Sequence, residues 1–462
     1  MQEKKHFDLK SCKKVIGKSP DQNQSNMFKS NLKQIINPKH SLVQLADRIP
    51  WQEFEKEYKR LYSQTGMPAK PIRLMTGLLI LKQLKHLSDE GVVKDWVQNP
   101  YYQYFCGASE FQWEAPCDPS DLVHFRNRLG NDGVEKILEV SIKIQGDKNQ
   151  QGLMKTVSVD TTAQEKNITY PTDVKLAKKI IEQCRKLARR EGIELRQSYS
   201  RIVKELMLLQ RFSHHPRNYK KAEKAKRKLK TIAGRLVREI GRKLPEERLD
   251  TYQEKLNIYQ KVLLQKRHDQ NKIYSLHEPQ VACIAKGKAG KPFEFGSKVS
   301  VAMSKDRSMI LGIVNYAGNP NDSKTLEDTL KKVEQLTGVK VEKAIVDRGY
   351  KVRSQINGTE IIKPKSLNGD ATSYQKAKMR NYFRRRAAIE PSIGHLKNNF
   401  GLKRNFLKGI QGDINNAVLA GAAYNFKRWL NQKLKDIFVL IRNWTIIYNS
   451  ILKNRLPLKL SY

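Results

Sequence analysis

Three residues in the C-terminal part of the chain have side chains that could act together on a phosphate. Arg386, Glu390 and Lys397 follow the spacing R-x3-E-x6-K within the stretch FRRRAAIEPSIGHLKNNFGLK. At about 100° per residue on an α-helix, this spacing places all three within roughly 60° of one another. Such a face is either a solvated ion-pair face, which stabilises a helix by only about 0.2–0.5 kcal/mol, or one side of a site for metal and phosphate.

Two aspartates at the ends of predicted strands complete a candidate metal site. Asp160 ends the alternating apolar run 154–160, and Asp347 ends the apolar run 341–347. Carboxylate oxygens suit Mg²⁺, and two such ions about 3.5–4 Å apart can activate an attacking oxygen and stabilise a leaving one. Asp160, Asp347 and Glu390 are therefore the predicted catalytic residues and metal ligands, with two Mg²⁺ ions as cofactor and Mn²⁺ as a substitute.

The sequence blocks around these carboxylates resemble a known family. Asp160, Asp347 and the Arg386-x3-Glu390-x6-Lys397 spacing are similar to the D, D and E blocks of bacterial insertion-sequence DDE transposases. The branch they resemble has the YREK signature in its third block.

Two further details belong to this resemblance. The signature has a tyrosine three residues before the arginine, whereas this chain has Phe383 there, with Tyr382 beside it. The stretch 274–302 resembles the segment that precedes and forms the second strand of the catalytic domain in this family. Altogether the resemblance covers roughly residues 40–430.

The resemblance implies a fold and a reaction. The fold is α/β, with an RNase H-like catalytic domain that carries a large helical insertion and follows an all-α N-terminal DNA-binding domain. In this fold the first and fourth strands lie side by side and bring Asp160 near Asp347. The reaction is Mg²⁺-dependent cleavage at the element's end, leaving a 3′-OH that then attacks target DNA. Asp160 would bridge two metal ions, while Asp347 and Glu390 would each hold one.

Residues near the carboxylates are candidates for DNA contact. Arg386 and Lys397 flank Glu390, where they either hold phosphates or only pair with that carboxylate. Arg348 and Tyr350 follow the second aspartate in the turn DRGY and are predicted to contact the strand end.

A second group of candidate DNA contacts lies on a helix predicted to begin at Pro119. This helix carries Arg126 and Arg128 away from its apolar face. It is either the recognition helix of a helix-turn-helix or an ordinary amphipathic helix, and the resemblance favours the first interpretation.

The composition indicates a polyanionic partner. Lys and Arg number 88 against 46 acidic residues, a formal charge of +42, which DNA or RNA would neutralise, although ribosomal and membrane-surface proteins are also basic. A predicted helical insertion at 174–275 holds 29 basic and 11 acidic residues. Its clustered bases form either a phosphate-contacting surface or a solvated face: Lys220, Lys221, Lys224, Lys226, Arg227, Lys228 and Lys230.

Composition and periodicity divide the chain into parts. We expect a mobile basic arm at 1–40, a helical DNA-binding domain at 41–150, a catalytic domain at 151–410 interrupted by the insertion at 174–275, and C-terminal helices at 411–462. The N-terminus has no apolar signal region, and the apolar runs are too short to span a membrane. Five cysteines without a C-x-x-C pair indicate reduced thiols and argue against zinc. We expect a cytoplasmic, nucleoid-associated bacterial protein with no membrane partner.

Two other functions remain open at this level. One is an inactive or repurposed DNA-binding protein, against which the intact acidic triad argues. The other is an RNase H-like nuclease that does not join strands, against which the N-terminal helices and the R-x3-E-x6-K spacing argue. By analogy with the family we expect a homodimer or higher oligomer on DNA. Asp322 is a fourth carboxylate that could approach the site, although helix N-capping explains it as well.

Overall fold

The computed structural model describes residues 14–17, 31–63, 65–145, 151–211, 213, 215–286, 290–306, 309–364 and 371–454. Within these ranges the protein is mixed α/β, with a helical module, a central sheet and a long C-terminal helix. Most of the predicted arm at 1–40 lies outside them. Its described parts are packed, because β1 (Lys14–Gly17) pairs with β2 (Met67–Pro71) and α1 (Leu32–Ile35) buries Leu32.

The N-terminal module is helical, as its apolar periodicity predicts. Its longest helix begins at Pro119, where the Asp118 side chain accepts a hydrogen bond from the backbone N–H of Ser120. After α1, the helices are α2 (Ser41–Arg48), α3 (Trp51–Lys59), α4 (Ile72–Leu84), α5 (Asp89–Gln98), α6 (Pro100–Phe105) and α7 (Pro119–Lys143). α4 is apolar on most sides and is correspondingly buried.

A mixed sheet forms the centre of the molecule. Its strands are β3 (Thr156–Lys166), β4 (Ala282–Ala285), β5 (Phe293–Ser304), β6 (Ile310–Tyr316), β7 (Lys343–Ile345), β8 (Gln355–Ile356), β9 (Thr359–Ile362) and β10 (Arg404–Asn405). Across the sheet, β6, β5 and β3 are antiparallel neighbours, while β3, β7 and β9 are parallel neighbours. The expected pairing of the first and fourth strands is confirmed by β3 and β7.

Helices connect the strands and cover the sheet. α8 (Gln151–Met154) precedes β3, and α13 (Asp322–Thr337) leads from β6 to β7. After β9 the chain continues through α14 (Ser373–Ala387), α15 (Ile389–Asn399) and α16 (Gly409–Asn454).

Four helices lie between β3 and β4, where the sequence predicts an insertion. It consists of α9 (Asp173–Arg190), α10 (Ser200–Leu209), α11 (Pro216–Lys243) and α12 (Glu246–Leu264). Its buried residues form a hydrophobic cluster of their own, separate from the main core. The insertion is therefore a small helical bundle attached to the sheet between β3 and β4.

The first half of α16 joins the helical module to the sheet. Its alanines are buried, and a Cβ on Gly421 would lie 2.6 Å from Cδ1 of Ile313 on β6. The Asn425 side chain donates to Ser141 Oγ of α7 at 3.0 Å and accepts from the Ile310 N–H of β6 at 2.8 Å. The predicted alanine-rich helix on the sheet is confirmed. Since buried residues of module and sheet form one cluster, the boundaries predicted at 150 and 410 do not divide the core.

Within the described residues, none of the helices is both long and apolar enough to cross a lipid bilayer.

A buried charge cluster fixes the end of β3. The Lys166 ammonium lies 2.7 Å from Asp413 Oδ1 of α16 and 3.4 Å from Glu278 Oε2, which precedes β4. Asn405 of β10 also donates to Asp413 Oδ1 at 2.6 Å. Since these charged side chains are at most 7% exposed, their mutual pairing is what makes their burial tolerable.

Lys166→Met should destabilise the protein strongly. The substitution leaves Asp413 and Glu278 buried without their cation, so we expect the free energy of unfolding to fall by about 3–5 kcal/mol in urea denaturation. The matched control is Lys155→Met, because Lys155 pairs with Glu342 at the surface. That variant should keep the wild-type midpoint of urea denaturation. An equal loss of stability in both variants would show that burial of the charge cluster is not the reason for the effect of Lys166→Met.

Candidate active site

The parallel pairing of β3 and β7 sets the positions of both aspartates. Ser158 lies opposite Ile345, so that Asp160 and Asp347, two residues further on, follow at the same level. The prediction that Asp160 ends its strand is wrong. β3 continues to Lys166 because β5 extends the antiparallel pairing as far as Gly296, which lies opposite Glu165.

An arginine lies between the second aspartate and the glutamate. Arg386 Nη2 is 3.2 Å from Asp347 Oδ2 and 3.7 Å from Glu390 Oε1. The side chains of Asp347 and Glu390 are 43% and 64% exposed, so both carboxylates face solvent. The guanidinium thus balances two carboxylates that come from different elements of the fold.

The third carboxylate, Asp160, is more enclosed. Its pKa is raised from 3.8 to about 6, mainly by burial and to a smaller extent by the charges of Asp347 and Glu390. The Thr161 N–H, at 2.7 Å from Asp160 Oδ1, and the charge of Arg386 act in the opposite direction on this pKa. The charges of Asp347 and Glu390 therefore act on Asp160, the third predicted carboxylate.

The chemistry of this site suits a divalent cation. Among the described residues, no three or more His, Cys, Asp or Glu side chains are arranged closely enough to hold a metal ion. The donors are nevertheless three carboxylates, the ligand type that Mg²⁺ prefers, and the Arg386 guanidinium takes the place of a cation between two of them. The chemical type of these ligands therefore suits the predicted Mg²⁺ ions.

Of the three residues predicted to share one helix face, Arg386 and Glu390 lie together, but Lys397 does not join them. Pro391 has no N–H to donate to Ala387, so the helix is interrupted at Ala388 between α14 and α15. Arg386 still pairs with Glu390.

Lys397, on the second of these helices, turns to a different carboxylate. Its ammonium lies 4.0 Å from Glu294 Oε2 on β5, and burial lowers its pKa. The alternative in which Lys397 pairs with Glu390 is therefore wrong.

The two candidates in the turn after Asp347 differ in exposure. Arg348 is exposed, its Nε donates to the Pro364 carbonyl at 2.9 Å, and its guanidinium lies 5.4 Å from the Phe383 ring centroid. Tyr350 is 2% exposed, which contradicts its predicted contact with DNA. Its ring belongs to the hydrophobic core.

The fourth carboxylate, Asp322, does not cap its helix. Asn321 caps α13, and Asp322 Oδ1 instead accepts from Thr161 Oγ1 at 2.7 Å and from Lys298 Nζ at 2.9 Å. Asp322 therefore supports the residue next to Asp160. Sequence reasoning missed Thr161 and Lys298, and the one available signal was that Lys298 stands next to the alternating apolar residues of β5.

The two arginines of α7 are held by the protein itself. Arg126 is buried, and its two Nη atoms donate to the Asp89 carboxylate at 2.7 Å each, which contradicts its predicted contact with DNA. Arg128 is half-buried, with its guanidinium 4.6 Å from the Tyr62 ring centroid. The exposed side of α7 carries His124 and Asn127 instead.

Comparison with known families decides what kind of protein this is. Residues 30–128 match a transposase domain (DUF772), and residues 264–426 match a transposase DDE domain. The chain belongs to the insertion-sequence DDE transposases. Asp347 and Glu390 of this transposase lie inside the second matched range, whereas Asp160 and most of the insertion lie between the two ranges.

The chain is also similar to an individual protein that is described as uncharacterized. The transposase is 41% identical over 202 residues to the uncharacterized protein ORF8 in the nfe locus of Rhizobium meliloti, a match that spans 43% of this chain and 98% of the relative. No solved structure matches the chain. Membership in the DDE family implies an enzyme that cleaves DNA and transfers strands, a class that generally uses divalent metal ions.

Asp160→Asn should stabilise the metal-free protein at neutral pH. The folded protein holds the Asp160 proton more tightly than the unfolded chain does, so wild-type stability falls as pH rises from about 4 to 6. A neutral asparagine avoids this loss and should add about 1–3 kcal/mol to the free energy of unfolding at pH 7.5, but nothing at pH 4.

Urea denaturation in EDTA at both pH values measures this difference. Asp347→Asn serves as the control, since it removes an ion pair with Arg386 and should bring no gain at either pH. A gain for Asp160→Asn that is equal at pH 4 and pH 7.5 would show that the burial of charge is not its cause.

Proposed function

We propose that this chain binds the terminal inverted repeats of an insertion sequence and catalyses Mg²⁺-dependent strand cleavage and strand transfer, in cut-and-paste DNA transposition. The observation that carries the proposal is the convergence of Asp160, Asp347 and Glu390 on one site around Arg386. Three carboxylates at a DNA-binding surface would repel the phosphate backbone. A protein that only bound DNA would therefore gain nothing from them.

The strand order supports an RNase H-like catalytic domain. The succession β6, β5, β3, β7, β9, with three antiparallel strands followed by parallel neighbours, is the arrangement expected for that fold. The Arg386–Glu390 pair and the aromatic ring of Phe383, which contacts Arg348, support the YREK branch. On this basis we assign 41–150 to DNA recognition and 151–410, with its insertion at 174–275, to catalysis.

The three carboxylates would hold two Mg²⁺ ions, with Asp160 as the shared ligand. When bound, the ions supply Lewis-acid activation and neutralise charge on the reacting phosphate. The protein itself supplies position: β3 and β7 hold the aspartates level, and the contacts of Asp322 with Thr161 and Lys298 support the strand beside Asp160. In-line phosphoryl transfer depends mainly on such positioning and on charge stabilisation.

Basic side chains around the carboxylates would hold the DNA. Arg386 neutralises Asp347 and Glu390 in the free protein, and its guanidinium would turn to a phosphate when other cations occupy the site. Arg348 is exposed beside Asp347 and suits a contact with the strand end. Lys397, which is 22% exposed and pairs loosely with Glu294, would reach the strand from the next helix. Processing of two element ends would require a homodimer or larger assembly.

Cleavage of a duplex that carries the gene's own flanking DNA tests the proposal. With Mg²⁺, Asp160→Asn, Asp347→Asn and Glu390→Gln should each reduce cleavage by about 10³-fold or more, because a lost metal ligand removes several kcal/mol of transition-state stabilisation. DNA binding should stay within a few-fold of wild type. The matched controls are Asp328→Asn and Glu342→Gln, which alter exposed carboxylates on α13 and just before β7 and should cleave normally.

The products separate the possible functions. Discrete nicks with 3′-OH ends at the inverted repeats, together with joined strands, support the transposase. Nicks without joined strands would indicate a nuclease, and binding without any nick would indicate a repurposed DNA-binding protein. A triad variant that still cleaves in Mg²⁺ would remove that residue from the site.

A further inference from the structure

The longest helix of the insertion, α11, has two opposite faces. One face carries small and aliphatic side chains, including Ala225, Leu229 and Leu236, which are buried in the insertion's own core. The opposite face is exposed along the whole helix. Because the buried face holds the helix in place, the exposed face is not needed for folding and its composition calls for another explanation.

The exposed face is a continuous row of basic side chains. At about 100° per residue, six of them fall within a sector of roughly 100° and span about 27 Å along the helix axis. They are defined as the α11 stripe: Lys220, Lys224, Arg227, Lys228, Arg235 and Arg238. Besides further bases, this sector carries Thr231 and no acidic, aliphatic or aromatic residue.

The stripe bases differ from two other lysines of the same helix. Lys226 and Lys230, on the side of α11, lie 3.8 Å and 3.4 Å from Asp173 Oδ2 of α9. Among the described residues, no stripe side chain forms an ion pair with an acidic residue. Like charges three and four residues apart repel one another and weaken a helix, so the stripe costs stability that nothing within the described chain returns.

A polyanion as long as the stripe would offset this repulsion. Duplex DNA carries about one negative charge per 1.7 Å of axis and therefore presents many phosphates along about 27 Å. A membrane surface would call for apolar side chains next to the bases, and single-stranded nucleic acid would call for stacking aromatics. The stripe has neither. A row of basic side chains without apolar or aromatic neighbours suits contacts with the phosphates of a DNA duplex. Such contacts do not depend on the base sequence.

We propose that the α11 stripe is a sequence-independent binding surface for the phosphate backbone of duplex DNA. The proposal rests on the proposed function, in that the chain acts on DNA, and it assigns the helical insertion a role in that function. The insertion leaves the sheet directly after β3, the strand of Asp160, and the Lys166 cluster fixes the end of that strand. The bundle that contains α11 is thereby attached to the same strand that carries the candidate catalytic aspartate.

Two charge-matched variants of the full-length protein test the stripe. The stripe variant carries Lys220→Gln, Lys224→Gln, Arg227→Gln and Arg235→Gln. The control variant carries Lys186→Gln, Arg189→Gln, Arg201→Gln and Lys204→Gln, exposed positions on α9 and α10 of the same insertion. Both variants lose two lysines and two arginines, so any effect of net charge alone is equal. Circular dichroism and thermal unfolding establish that both are folded.

Binding is measured by fluorescence anisotropy from about 50 to 300 mM salt, with the flanking-DNA duplex and with an unrelated duplex of equal length. The stripe variant should lose at least about tenfold in affinity for both duplexes near 100 mM salt. Its slope of log K against log salt should be smaller in magnitude by about 3–4, since each lost phosphate contact removes about 0.9. The control variant should keep the wild-type slope and stay within a few-fold in affinity.

Other outcomes overturn the proposal in distinguishable ways. An unchanged slope in the stripe variant, or equal losses in both variants, would show that the stripe is not a DNA-binding surface. A single-stranded RNA competitor that displaces the duplex from wild type but not from the stripe variant would assign the stripe to RNA. If wild type cleaves its flanking DNA normally in these cases, the proposed function stands and only the role of α11 falls. If wild type binds no duplex, both are wrong.

Discussion

The parallel pairing of β3 with β7 is the constraint on which the candidate site depends. Backbone hydrogen bonds fix the register of the two strands, so the levels of Asp160 and Asp347 are decided by main-chain geometry and not by the flexible side chains. β5 holds β3 from the other side, opposite Asp160 itself. Two carboxylates brought together in this way repel each other, and the remainder of the site must compensate for that repulsion.

Arg386 supplies the compensation in the protein alone. It stands at the end of α14, and Glu390, four residues further on at the start of α15, approaches the same guanidinium. The site therefore contains three carboxylates and one fixed cation, which leaves it deficient in positive charge. Burial is the main reason that the pKa of Asp160 is raised, and the negative charges of Asp347 and Glu390 act on this pKa in the same direction. The proposed binding of Mg²⁺ would relieve this excess of negative charge.

The sequence predicts the helices and strands of this fold better than it predicts which side chains pair with one another. Alternating apolar residues located the strands of both aspartates, and helical periodicity located the insertion and the buried alanine-rich helix, because these signals are local. The predicted DNA contact of Arg126 and the alternative in which Lys397 pairs with Glu390 are wrong, because the actual partners, Asp89 and Glu294, are 37 and 103 positions away in the chain. Tyr350 looked available for DNA in a polar turn, and only the packing of the core shows that its ring is buried. Long-range pairing leaves no periodic trace in a single sequence.

The two parts proposed to contact DNA are joined to the site in different ways. The N-terminal helices share one core with the sheet through α16, and the buried amide of Asn425 bonds to both, so this module is fixed relative to Asp160. The insertion has a separate core and meets the sheet where β3 ends and β4 begins. A unit with its own core can stand between two neighbouring strands without disturbing their pairing. The match to the transposase DDE domain begins at residue 264, at the very end of α12, so the four helices of the insertion lie almost entirely outside it.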